Sequence, residues 1–136
     1  MEKKITGGCH CGQFRYETTS ELIAPNYCHC ADCRKLYGAV GAGFVVVEEQ
    51  TTISGEVSVY ESEGDSGNRK QHLFCGVCGT PIGERVDAYP GTIVFTPGTL
   101  DEPTAFVPEA HFWVSRKAPW TRLDDGLTQL ETQPEG

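Results

Sequence analysis

The sequence predicts a mainly β domain whose strands are tied together by metal sites. Three observations lead there. Most segments are short and rich in β-branched or aromatic residues. Turn formers are frequent, with 16 glycines and 8 prolines among 136 residues. The hydrophobic share is only 38%, below the usual ~45–50%. A core this lean calls for a further staple, and seven cysteines in three clusters offer one.

In chain order, Gln13–Thr19 alternates Phe14 and Tyr16 against polar neighbours and reads as a strand. Ala31–Tyr37 is the one helical segment, about two turns by its pattern. Phe44–Val47 is an apolar β-branched run, with Thr51–Ser54 expected to follow it in a hairpin. Val57–Glu61, Lys70–Phe74, Pro81–Val86, Thr92–Phe95 and His111–Ser115 read as further strands. Glu61-Ser62-Glu63-Gly64-Asp65-Ser66-Gly67-Asn68 reads as a polar loop. Trp120-Thr121-Arg122-Leu123 reads as an irregular segment capping the core. One domain is expected over residues 1–126, with a polar tail over 127–136 that frays from Thr128.

The formal net charge is −8. That argues against a nucleic-acid binder, which needs a basic face to displace counterions from phosphate. It argues equally against docking on an anionic membrane. The start, MEKKITGGCHCG, has no apolar signal region, and no run approaches the ~20 apolar residues of a span. A soluble cytoplasmic protein is expected. In a reducing compartment seven cysteines read more readily as metal ligands than as disulfides, and their odd number agrees.

The clusters are Cys9-His10-Cys11, Cys28-His29-Cys30-Ala31-Asp32-Cys33 and Cys75-Gly76-Val77-Cys78-Gly79. The last is a knuckle pattern: the two-residue spacer lets one tight turn aim both sulfurs at an ion, and Gly79 supplies a backbone shape that other residues resist. A redox reading of C-x-x-C wants a βαβ setting, which is missing. A structural zinc takes four ligands, and a catalytic zinc three plus an open position. Seven divides accordingly. If Cys9 and Cys11 join Cys75 and Cys78, then Cys28, Cys30 and Cys33 stand alone, and they form the only cluster with three thiols. Four thiolates leave zinc at −2, a poor Lewis acid, whereas three leave −1 and a vacancy suited to a soft sulfur ligand. A thiol bound there is held as thiolate at neutral pH. Other readings stay open. His29 can close the second site as a fourth ligand, although in an extended segment its ring points away from its neighbours; the same geometry disfavours His10. Asp32 can add an oxygen or an outer contact. The trio can also be three free thiols.

Gly7-Gly8-Cys9-His10-Cys11-Gly12, Cys28 to Arg34 and Phe74-Cys75-Gly76-Val77-Cys78-Gly79-Thr80 resemble the glutathione-dependent formaldehyde-activating enzyme family, whose domain is shared with centromere protein V. Pro97-Gly98-Thr99-Leu100-Asp101, His111 to Arg116 and Ala118-Pro119-Trp120 fit as well, so the resemblance runs from about Gly7 to Gly126. It implies a β-tent fold of antiparallel sheets joined at a zinc knuckle. It implies a structural zinc on Cys9, Cys11, Cys75 and Cys78, and a labile one on Cys28, Cys30 and Cys33. The implied activity is condensation of glutathione with formaldehyde to S-hydroxymethylglutathione, classed as a carbon–sulfur lyase in reverse and associated with detoxification.

On that basis Cys28, Cys30, Cys33 and His29 are the candidate catalytic residues. His29 or water would protonate the product alkoxide. Arg34, Lys35, Arg69 and Arg116 are candidates for the glutathione carboxylates, because a guanidinium can hold a carboxylate through two bonds. One rival is the same site acting on a different thiol adduct. Another is a non-catalytic module with two structural metals and a protein partner on a face of Phe112, Trp113 and Trp120. A chromatin role like that of centromere protein V would call for basic extensions, which an acidic sequence does not suggest.

Overall fold

The structure, a computed structural model, describes residues 3–64 and 67–133. Residues 65–66 of the expected polar loop, the last three residues of the tail and the first two of the chain lie outside the described residues. Among the described residues eleven strands and one α-helix are formed. They are β1 Ile5–Gly8, β2 Arg15–Thr18, β3 Ile23–Cys28, α1 Ala31–Tyr37, β4 Gly41–Val47, β5 Thr51–Ser54, β6 Ser58–Glu63, β7 Arg69–Phe74, β8 Pro81–Val86, β9 Thr92–Phe95, β10 Ala110–Phe112 and β11 Thr128–Gln129. No helix among the described residues is long and apolar enough to cross a membrane.

Two sheets result. A small antiparallel one runs β1-β2-β5, and a large mixed one runs β11-β10-β3-β4-β9-β8-β7-β6. Strand β4 (GAGFVVV) sits inside the large sheet between β3 and β9, with Phe44 and Val46 buried on one face and Val45 and Val47 half-buried on the other. The core fills the space between the sheets. Phe14 and Tyr16 come from the small sheet side, and Phe44, Val46, Leu73, Ile93 and Phe95 from the large one, all buried. Tyr16 stacks on Phe95 with ring centres 3.9 Å apart. Its hydroxyl meets that of buried Thr99 at 2.8 Å, so a polar tip is carried into the core without loss. Tyr16→Phe is expected to cost about 1 kcal/mol, because the Thr99 hydroxyl then loses a partner in a dry site. Urea unfolding of the zinc-loaded protein measures this, and an unchanged midpoint would count against it. At the sheet margin Arg15 forms two bonds with Asp101, one of them 2.9 Å long. They hold the Asp101 carboxyl well below its usual range, at about 2.

Several expected elements come out as read: Ala31–Tyr37, Thr51–Ser54, Pro81–Val86 and Thr92–Phe95. Others are corrected. Thr51–Ser54 does not fold back on β4. A 3₁₀ turn at Glu48–Gln50 redirects the chain, and β5 pairs with β2 in the other sheet, where Thr18 and Thr51 hydroxyls meet at 2.8 Å. Strand β3 escapes the pattern because Pro25 interrupts it; Ala24 has φ 47° and the register slips between Ile23 and Asn26. Strand β1 escapes because half of it is glycine. The last expected strand stops at Phe112, since Trp113 turns left-handed at φ 59° and a 3₁₀ turn follows. Trp120 does not cap the core: it is 63% exposed, and the buried residue lies just before that segment, at Ala118. The expected fraying does not begin at Thr128. Strand β11 pairs in parallel with β10, and Leu130 N donates to His111 O at 2.9 Å.

Candidate metal centre

The β1–β2 loop carries Cys9 and Cys11, and the β7–β8 turn carries Cys75 and Cys78. The fold brings all four sulfurs within 4.8 Å of one another. Cys9 and Cys11 sulfurs are 3.6 Å apart, and Cys11 and Cys75 sulfurs 3.8 Å. A tetrahedral zinc with ~2.3 Å bonds requires edges of about 3.8 Å, so the quartet fits that ion. Local donors reach three of the four sulfurs. Phe14 N donates to Cys9 at 3.4 Å, and Cys78 N and Gln13 Nε2 donate to Cys75 at 3.4 and 3.2 Å. Thr80 Oγ1, 3.1 Å from Cys78 Sγ, holds that thiol down to about 5. The turn closes through Gly79, left-handed at φ 82°, whose N–H reaches Cys75 O at 2.8 Å. His10 stays outside the quartet and gives only its backbone N–H, to Thr80 Oγ1 at 3.1 Å.

The second cluster lies at the junction of β3 and α1. Cys28 ends the strand, Cys30 caps the helix, and Cys33 sits in its first turn with its N–H on Cys30 Sγ at 3.3 Å. The three sulfurs lie within 4.8 Å of one another and are half-buried. Mutual sulfur bonds split their acidities. Cys30, bonded by Cys28 and Cys33, is pulled down to about 2; Cys28 rises to about 11 through its bond to Cys30, and Cys33 rises too, through Cys28. A thiophilic cation held by the three sulfurs would displace their protons. A seven-residue helix with no buried residue cannot hold its own shape. It is anchored where Cys33 and Tyr37 lie on Gly41 of β4. A Cβ at that position would meet Cys33 Cβ at 2.7 Å.

His29 and Asp32 do not join this trio. His29 is buried at 3% exposure, and its Nε2 is 2.8 Å from His111 Nδ1. His111 Nε2 in turn meets Asp125 Oδ2 at 2.7 Å. The His111 bond keeps the Asp125 carboxyl below its ordinary range. An ionised Asp125 accepts from His111 Nε2–H; His111 Nδ1 is then the acceptor for His29 Nε2–H. Burial keeps His29 below its usual pKa and thus neutral. With His29 N donating to Phe112 O at 2.9 Å, the residue ties the Cys28–Cys30 segment to β10.

Arg34, next to Cys33 on α1, has its Nη1 3.5 Å from the backbone O of Arg116, whose own guanidinium lies 6.0 Å over the Trp113 ring. Lys35 is exposed on α1. Arg69 stands apart, paired with Glu61 at 2.9 Å near the β6–β7 hairpin end. Sequence reasoning gave no site role to His111, Asp125, Lys70, His72 or Glu84. The β7 sequence RKQHLF is polar on both faces over its first four residues, so no alternation marks which of them face the site.

Fold and geometry together define a β scaffold carrying one four-thiol clamp between sheets and one three-thiol centre at a strand–helix junction. The glutathione-dependent formaldehyde-activating enzyme family model matches residues 4–116, and the chain belongs to that family. A Rhodobacter sphaeroides protein of known crystal structure shares the fold. The TM-score is 0.57 at 20% identity, over 92% of this chain and 98% of that one.

Proposed function

We propose that this protein joins a small thiol, glutathione, to formaldehyde, giving S-hydroxymethylglutathione, and that it runs the same carbon–sulfur lyase reaction in reverse. The observation that carries this reading is the convergence of Cys28, Cys30 and Cys33, with no fourth ligand atom grouped with them among the described residues. Cys9, Cys11, Cys75 and Cys78 would hold a structural zinc, and the trio a second. Zinc on three thiolates supplies a Lewis acid with room for a soft ligand, at which a thiol is deprotonated near neutral pH.

The reaction itself is an addition. The thiol S–H bond breaks, an S–C bond forms at the formaldehyde carbon, and the carbonyl oxygen gains a proton. Arg34, next to Cys33 on α1 and in reach of the Arg116 carbonyl, would take one carboxylate of a glutathione molecule; Arg69, already paired with Glu61, has no such part. His29 serves by holding the Cys28–Cys30 segment in place rather than by delivering a proton, because its Nε2 is engaged by His111. The thiol proton passes to water, and water returns one proton to the alkoxide. All seven cysteines are free, which suits a reducing cytoplasm.

The test is exchange spectroscopy on glutathione and formaldehyde with catalytic amounts of protein. The wild type is expected to accelerate exchange, whereas Cys30→Ser should fall to the uncatalysed rate while remaining folded with one zinc. Equal rates with and without wild-type protein would remove the enzyme reading.

A further inference from the structure

The trio opens onto one face of the large sheet. Directly paired residues of neighbouring strands share a face. On that basis Cys28 pairs with Gly41, Val45 with Val94, Val94 with Glu84, and Glu84 with His72, and all lie on a single side. Lys70, two residues from His72, belongs to the same side. Between α1 and Val94 the floor is Gly43, where a Cβ would stand only 2.8 Å from Val94 Cγ1. Helix α1 thus borders one end of this floor, and Lys70, His72 and Glu84 the other.

Those three residues are arranged unlike a self-satisfied polar cluster. His72 is 8% exposed, and its Nε2 meets Ser62 Oγ at 2.8 Å. Its Nδ1 is buried with no hydrogen-bond partner. The nearest acid, Glu84, stays 3.7 Å away, beyond a hydrogen bond. Glu84 is itself largely withdrawn from water, with 23% of its side chain exposed. Lys70 makes no ion pair with Glu84 among the described residues. One cation, one anion and one orphaned ring nitrogen therefore share a face with no hydrogen bond among the three.

Resting on the thiol reading above, we infer that Lys70, His72 and Glu84 form the subsite for the zwitterionic head of the thiol substrate, with Glu84 taking an α-ammonium, Lys70 the adjacent α-carboxylate, and His72 Nδ1 completing the contact. The γ-glutamyl end of glutathione carries that pair of charges. Its reach agrees. Glu84 and Gly41 are two strand spacings and four residues apart, roughly 16 Å between backbones. The side chains of Glu84 and Cys33 shorten this, and Glu84 and Cys30 are near enough to feel each other's charge. Burial pushes the Glu84 carboxyl up while Lys70 and His72 oppose it, so an arriving ammonium would settle it in the charged form.

The experiment uses the zinc-loaded chain and calorimetric titration with two thiols: glutathione, and 2-mercaptoethanol, which lacks the head group. Glu84→Gln and Lys70→Met are each expected to weaken glutathione about tenfold, the worth of one charge-assisted bond. Binding of 2-mercaptoethanol should stay within about twofold. Lys70 is half-buried on a strand, so its variant keeps the fold even where Glu84→Gln does not; circular dichroism and zinc content check both. Unchanged glutathione affinity in Lys70→Met and in folded Glu84→Gln, or an equal loss for both thiols, would overturn this inference and leave the thiol reading standing. Failure of the wild type to bind either thiol would overturn both.

Discussion

Cys78→Ser is expected to abolish the folded state at room temperature. The clamp of Cys9, Cys11, Cys75 and Cys78 joins the loop of the small sheet to a turn of the large one. A structural zinc contributes about 10–16 kcal/mol to such a domain, while net stability is about 5–15 kcal/mol. Loss of one ligand therefore removes as much as the chain has to spare, and the lean hydrophobic content offers little in reserve. Zinc analysis should find the clamp metal missing, and thermal melting followed by circular dichroism should lose its cooperative step. Val77→Ser is the control. That side chain, between two ligands but 78% exposed, should change stability by no more than about 0.5 kcal/mol. A Cys78→Ser protein that melts like the wild type would show that core packing alone holds the two sheets together.

Gly41→Ala should do the opposite, sparing the fold and emptying the second site. The new Cβ would lie 2.7 Å from Cys33 Cβ, 3.0 Å from Cys33 Sγ and 3.2 Å from Tyr37 Cδ2. Backbone β4 is locked between β3 and β9, so the short helix must give way. Overpacking of this kind costs about 1–3 kcal/mol. Displacing a ligand by tenths of an ångström should weaken metal binding 10- to 100-fold, as loss of a supporting contact does. The expected product is a folded protein that keeps one zinc through dialysis against a mild chelator, and that no longer accelerates glutathione–formaldehyde exchange. Retention of both metals would mean that α1 accommodates the methyl group and that its seat on Gly41 is not what sets the trio.

The two variants separate what was legible in the chain from what was not. The quartet's members stand in two tight spacings, Cys9-x-Cys11 and Cys75-x-x-Cys78, and the tetrahedral demand of zinc made their union a reasonable expectation. The trio was legible because its three thiols fall within six residues, so local geometry alone can gather them. Strands such as Pro81–Val86 and the helix Ala31–Tyr37 were legible because residue type and periodicity act over a few neighbours. The destination of Thr51–Ser54 was not, since a strand's propensity says nothing about its partner. A 3₁₀ turn and a pair of threonine hydroxyls sent it to the other sheet.

The same limit governs the site. Sequence by itself determined the three cysteine clusters and the family to which the chain belongs, because spacing within a cluster is a short-range property; the union of Cys9 and Cys11 with Cys75 and Cys78 across 64 residues was decided by the fold. Only the tertiary structure decided what surrounds the trio. Asp125 reaches His111, and His111 reaches His29, across separations of 14 and 82 residues. Lys70, His72 and Glu84 come to the face that carries Cys28 through strand register. Such neighbours are chosen by pairing and packing that span the whole chain, and no local pattern encodes them.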